Sequence, residues 1–266
     1  MFLVEQSAPG DQDRRTSQIR ELADRAIALD PTLGRSYAAR GTVEFYYDWN
    51  LDKAEQTLRS GLEYSPSDGF IRQRLSMLLA ARNRLPEAIA LGREGQRLEP
   101  LVPFRSISLG TLYYYARQYD QAAAEMARAL SINPELATAY FGLGRVRAAQ
   151  GRNGESLEAI EQALGRVRYP EWLAEYARVL LLAGRRQDAQ TVLDELRLLP
   201  ASATPYIDQE AHRAIVEGQR DRAFAILDEA INRRSLNVLW LSVDPRVDAL
   251  RSDPRFAKLV SRIGTP

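Results

Sequence analysis

A set of small residues returns along this chain at a nearly constant interval. Ala122-Ala-Ala-Glu-Met126-Ala-Arg-Ala129 is followed five residues later by Pro134. The same small-x3-apolar-x2-small skeleton occurs at Ala54/Leu58/Gly61 with Pro66, and at Ala88/Gly92/Gly95 with Pro100. It returns at Ser156/Ile160/Ala163, Ala189/Leu193/Leu196 and Ala223/Leu227/Ala230. The first residues of these six sets are spaced 34, 34, 34, 33 and 34 apart. A fixed period of this length commits a chain to stacked units, because no single unit can bury its apolar face alone.

Each unit also has an earlier half. Ser106, Leu109, Gly110 and Tyr113 precede Ala122, and Tyr37 with Gly41, Leu75 with Ser76, and Tyr140 with Leu143 and Gly144 sit comparably. Apolar residues within both halves recur at i, i+3, i+4 and i+7, which is a helical pattern. Breakers or polar pairs fall between the halves: Asp48 to Asn50, Asn83 to Pro86, Gly151 to Gly154, Gly184 to Arg186 and Gly218 to Arg220. The pattern predicts a lone helix near 13–29, then six pairs. First helices are expected near 35–48, 69–82, 103–116, 136–149, 171–183 and 204–217; second helices near 52–64, 86–98, 119–132, 153–166, 187–198 and 221–233. Small residues belong where helices cross closely. Gly61 and Gly95 inside helices, each costing about 1 kcal/mol relative to Ala, are read as such crossings.

Composition narrows the chemistry. The 266 residues carry 36 basic and 35 acidic side chains, a net charge of +1. That lacks the basic excess expected of a chain that neutralises phosphates, so direct nucleic-acid binding is not expected. Cysteine is absent, His212 is the single histidine, and Lys53 and Lys258 are the only lysines. Thiolate catalysis and two-histidine zinc sites are excluded, and no catalytic residue, cofactor or metal is expected. No stretch approaches the roughly 20 apolar residues of a membrane span. The start MFLVEQSAPG lacks the basic and apolar regions of a signal peptide. Cytoplasm is favoured, with periplasm admitted if a membrane span lies upstream.

The period, with Leu-Gly, Tyr and then Ala-x3-apolar-x2-Ala-x4-Pro, resembles the tetratricopeptide repeat over about residues 12–233. Ser106 and Arg72 stand where that family usually has a large aromatic, one residue is inserted near Trp49, and Pro170 opens its unit without a preceding Asp-Pro. The resemblance implies an all-α, right-handed solenoid of about six helix pairs, with an orphan N-terminal helix and a C-terminal helical cap. The expected division is a flexible 1–12, a solenoid over 13–235 and capping helices over 236–266. The orphan helix has Ile19, Ala23 and Ala26 in the second-helix pattern, and MFLVEQSAPG is too short to hold its partner. The chain is therefore expected to continue upstream, or to have that face covered by another molecule.

Beyond residue 235 the period breaks. Asp244-Pro245-Arg246 and Asp253-Pro254-Arg255 each place Asp at a helix N-cap and Pro at the first helical position, a favourable start. Helices are expected near 245–251 and 254–263, with Leu239, Leu241, Val247, Leu250, Phe256, Leu259 and Val260 covering the last unit. LSVDPRVDALRSDPRFAKLVSRIG also resembles the end of a tetratricopeptide region found on bacterial winged-helix transcriptional regulators, adenylate cyclases and serine/threonine kinases. That likeness implies a sensing or partner-binding region attached to an effector domain, and it transfers no catalytic residues.

Helical phase assigns Phe45, Tyr46, Phe70, Met77, Phe104, Tyr114, Tyr115, Phe141, Arg145 and Arg178 to the concave face shared by the first helices. Aromatics and arginine dominate binding hot spots, so this face is expected to take a protein or peptide segment, the effector domain included. Packing between neighbouring helices is the competing explanation for the aromatics. Replacing Tyr114 and Tyr115 together by Ala is expected to weaken binding while leaving the fold intact. The Lys/Asn/Arg clamp by which some tetratricopeptide proteins hold acidic C-termini is absent. His212, four residues after Asp208, is read as a structural or surface histidine. The reading is a non-catalytic interaction or sensory module, with a stand-alone scaffold or a small-molecule-sensing solenoid as alternatives.

Overall fold

The computed structural model describes residues 9–199 and 207–264. All regular structure among them is helical. A first helix, α1 (Pro9–Leu29), is followed by the pairs α2 (Gly34–Tyr46) with α3 (Leu51–Tyr64), α4 (Gly69–Ala81) with α5 (Leu85–Leu98), and α6 (Pro103–Tyr115) with α7 (Tyr119–Ile132). Then come α8 (Ala137–Ala149) with α9 (Asn153–Leu164), α10 (Pro170–Leu182) with α11 (Arg186–Arg197), and α12 (Ile207–Val216) with α13 (Arg220–Asn232). Each helix of a pair packs on its mate, the second helices of units one to four pack on the first helix of the next unit, and α2, α4, α6 and α8 touch in succession, as do α10 and α12. This is the stacked helix-pair solenoid that the period predicts, and the right-handed form of it is what the family resemblance implies.

Helix α1 starts at Pro9, earlier than the expected 13, and residues 1–8 of the expected flexible segment lie outside the described residues. So does the expected helical stretch 204–206. On α1, Ala23 is buried against the solenoid, while Leu22 and Leu29 are exposed.

The small residues mark the helix crossings. Ala54, Ala88, Ala122, Ser156, Ala189 and Ala223 have no exposed surface at all. Opposite them on the first helices, a Cβ added at Gly41 would stand 2.7 Å from Leu58, and one at Gly144 would stand 2.5 Å from Ile160. Gly61 fits the close-crossing reading, since a Cβ there would meet Tyr37 at 3.0 Å and the Gly34 carbonyl at 3.1 Å. Gly95 departs from it: its nearest neighbours would be 3.7 Å away, an ordinary contact. Between pair mates, the chain turns through a left-handed residue at Trp49, Asn83, Arg117, Gly151, Gly184 and Gly218. Glycine occupies that conformation without steric cost in the last three units.

The C-terminal segment does more than cover the end of the solenoid. It forms two 3₁₀ helices, Leu236–Trp240 and Pro245–Leu250, and a short α14 (Pro254–Val260). Asp244 and Asp253 cap the last two through the backbone N–H groups of Arg246 and Arg255, as the Asp-Pro-Arg motifs predict. The first of these is a 3₁₀ helix and α14 is shorter than expected. Helix α14 lies on α13, and the Pro245–Leu250 segment lies on α12. The Leu236–Trp240 segment, however, reaches α4 in the second unit. One apolar core therefore joins units one to three and Val146 of α8 with α12, α13 and the tail, while a second lies within units four and five. The superhelix curls until its end meets its beginning.

Candidate functional site: the concave face

The structure divides the ten residues assigned to the concave face into three groups. Phe45, Tyr46, Tyr114 and Tyr115 are buried. The Trp240 ring meets Phe45 edge-on at 5.8 Å and Tyr46 at 5.9 Å, and its indole N–H donates to the Met77 carbonyl at 2.9 Å. Met77 is partly buried against the same core. Arg117 ties the tail to the third unit by donating to Asp248 at 2.5 Å and to the Val243 carbonyl at 3.1 Å. The chain's own tail is thus the occupant of the C-terminal ends of α2, α4 and α6. The expectation that Tyr114 and Tyr115 can both be removed without cost to the fold is corrected accordingly, because each is a packed core side chain.

The second group is polar, and Arg178 is the member of it that is tied up in ion pairs. Arg145, Arg178 and His212 occupy the same slot in units four, five and six, spaced 33 and 34 apart. Arg178 donates to Glu175 at 2.6 and 2.9 Å, and both are buried. From the tail, Arg246 donates to Asp244 at 2.6 Å and reaches Glu175 and Gln209 at 3.5 Å. Burial alone would raise the Glu175 carboxyl, but Arg178 and Arg246 outweigh it and draw it down to about 2. Burial likewise opposes ionisation of Asp244, and Arg246 holds it far below the usual carboxylate range. His212 is buried with its Nε2 at 4.0 Å from Asp244, and its Nδ1 has no hydrogen-bond partner. Burial, with Arg246 adding to it, pushes its pKa down to about 3, so the ring is neutral. Asp208 is also buried, bonded weakly to Ser235 and Asn237, and burial raises it to about 6.

Sequence reasoning named Arg145 and Arg178 and missed Glu175, Gln209, Asp244 and Arg246. The 34-residue register relating His212 to Arg178 was a readable signal. The approach of Arg246 was not, because nothing in the sequence says that the tail turns into the groove.

The third group remains on the open half of the face. Phe104 is 47% exposed, and Phe70 is half-buried beneath the Arg74 guanidinium at 4.6 Å. A shallow cavity of about 340 Å³ there is lined by Ile19, Arg35, Ala39, Thr42, Phe70 and Arg74. Farther along, Phe141 stacks on Trp172 at 4.8 Å, and half-buried Arg145 lies 4.6 Å over the Tyr114 ring. No described helix is long and apolar enough to cross a membrane.

No family model and no curated protein matches this chain. Solved structures do. PilW, a widely conserved type IV pilus biogenesis factor, is 22% identical with a TM-score of 0.61, covering 71% of this chain and 86% of its own. A tetratricopeptide repeat protein from Parabacteroides merdae is 15% identical with a TM-score of 0.62, covering 91% of both chains. Human IFIT1, solved as a dimer with m7Gppp-AAAA, is 14% identical with a TM-score of 0.66, covering 94% of this chain and 68% of its own. At these identities the likeness is one of fold, and the fold is the tetratricopeptide-repeat solenoid.

Proposed function

We propose that this chain is a non-catalytic interaction module that takes an extended or helical segment of a partner protein on the open half of its concave face. The observation that carries the reading is the exposure of Phe104 beside half-buried Phe70, on the side of the groove that the tail leaves clear. Aromatic side chains held on rigid helices lose little entropy on binding and supply apolar area, which is the profile of a hot spot. The chain is near-neutral, so affinity is expected to fall only modestly with salt. The likeness of the paired Asp-Pro-Arg tail to regions on bacterial transcriptional regulators, cyclases and kinases supports a place in a larger signalling or transcription-regulating protein, with its effector domain as one partner. Selection of 12-residue peptides from a random display library on the immobilised chain tests the groove. Retained peptides should be lost when Phe70 and Phe104 are both replaced by Ala. Retention unchanged by that double substitution in a folded protein would overturn the reading.

A further inference from the structure

Among the described residues, the non-glycine positions with left-handed backbone are Trp49, Asn83, Arg117 and Arg234. They gather at one seam, where the tail closes on units one to three. The first three hold the turn slot between pair mates. Units four to six have Gly151, Gly184 and Gly218 in that slot, and a Cβ added at any of these would meet nothing within 4 Å. A side chain there carries a steric cost that glycine avoids. It occurs where the tail lies: Asn83 lines the seam, Arg117 donates to Asp248 and to the Val243 carbonyl, and Arg234 donates to the carbonyl of Asp48, the neighbour of Trp49.

The tail grips its own unit more closely than it grips this seam. On α12 and α13 it buries Val247, Leu250 and Leu259, and Arg255 donates to Asp221 at 2.8 Å. Across the seam, Ser242 donates to the Ala81 carbonyl at 3.3 Å and Arg234 to Asp48 at 3.4 Å. A cavity of about 340 Å³ separates Leu51, Ala81 and Asn83 from Leu239, Ser242 and Ile263, and its walls forgo the dispersion contacts of a packed interface. Trp49 is buried with its indole N–H unbonded. Unit six meets unit five mainly through α10 and α12, whereas each earlier step packs a second helix on the next first helix.

We propose that the tail is a releasable clasp over a second docking seat, in which Trp240 stands in for a tryptophan of a partner segment. The seat suits an indole, since Phe45 and Tyr46 pack against its ring and the Met77 carbonyl accepts its N–H. When unit six swings on its joint with unit five, the tail stays on α12 and α13, and Phe45, Tyr46 and Met77 become accessible. Apparent affinity for the partner is the intrinsic affinity scaled by the open fraction, so weakening the clasp strengthens binding. This seat stands independently of the open half around Phe70 and Phe104.

The chain has no cysteine, so Arg117→Cys with Asp248→Cys puts its only two thiols on either side of the seam. Unlinked, this variant lacks the Arg117–Asp248 pair and has a weakened clasp; a short bis-maleimide across the thiols locks it. The probe is a labelled peptide copying residues 236–248, and the control peptide carries Trp240→Ala. Fluorescence anisotropy should show the probe binding the unlinked variant about tenfold more tightly than the wild-type chain, with binding abolished by the crosslink. The control peptide should bind neither. Asp248→Asn, which loses the same ion pair, should match the unlinked variant and replaces it if the cysteine pair melts early. Equal binding before and after crosslinking, or no binding to either weakened variant, would overturn the clasp. Probe binding that is lost on replacing Phe70 and Phe104 by Ala would overturn it too, while leaving the groove reading standing.

Discussion

The indole N–H of Trp240 donates to the carbonyl of Met77 at 2.9 Å, across 163 positions of sequence. A solenoid ordinarily has only nearest-neighbour interfaces and unfolds by fraying from its ends. This bond, with the packing of Trp240 on Phe45 and Tyr46, ties the last unit to the first two and makes the chain a closed body.

Trp240→Ala is accordingly expected to destabilise by about 3–5 kcal/mol, the range for truncating a buried aromatic. Trp240→Phe, which keeps most of the ring area and loses the hydrogen bond, should cost about 1 kcal/mol. Urea unfolding followed by circular dichroism measures both. A two-step transition in Trp240→Ala in place of one would show that the tail supplies the long-range cooperativity.

Tyr114 and Tyr115 face the tail, so their removal is a stability change. Each substitution by Ala should lower stability by about 3 kcal/mol or more, visible as a fall in melting temperature before any partner is added. A double variant with wild-type stability would mean that the tail does not cover these rings in solution.

Two buried groups set opposite pH limits. His212 has its folded pKa lowered to about 3 from 6.5, so the unfolded chain binds the proton first. Its contribution is complete above the unfolded value and is lost as pH falls from about 6.5 towards 3, by up to about 1.4 kcal/mol per pH unit. Asp208 is raised to about 6 from 3.8, so stability falls as pH rises between those values, and the full cost is present at neutral pH. Between about pH 4 and 6 the two slopes oppose each other, so His212→Gln should leave stability falling as pH rises through that range, above the window in which Glu175, drawn down to about 2, begins to matter. Asp208→Asn should raise stability at pH 7 relative to pH 4.5. Denaturant midpoints measured across pH check both signs.

The two interior glycines of α3 and α5 should part company. At Gly95 there is room for a methyl group, so Gly95→Ala should gain up to about 1 kcal/mol from helix propensity. At Gly61 the same change meets the Tyr37 Cβ and a backbone carbonyl, and the gain should vanish or reverse. Equal stabilisation by both would contradict the close crossing of α2 and α3.

The period of 34 determined the helices, their pairing and the small-residue crossings, because those depend on contacts within a unit and with the next one. Ala122 and Ala54 are buried for reasons visible in a window of 40 residues. The Asp-Pro-Arg starts were legible on the same terms, since an N-cap is a local device. Tertiary structure alone decided which concave residues remain available. Phe45, Tyr114 and Phe104 belong to the same class of side chain on the same kind of helix, yet Phe45 lies under Trp240 of the tail, Tyr114 is buried against Tyr115, Tyr119 and Arg145, and Phe104 meets solvent. Sequence spacing fixes which face of a helix a residue occupies. Whether that face is covered depends on the superhelical curl summed over six units, which brings Trp240 to Met77 and Arg246 to Glu175. The small rotation from each repeat to the next decides that closure, and no single motif encodes it.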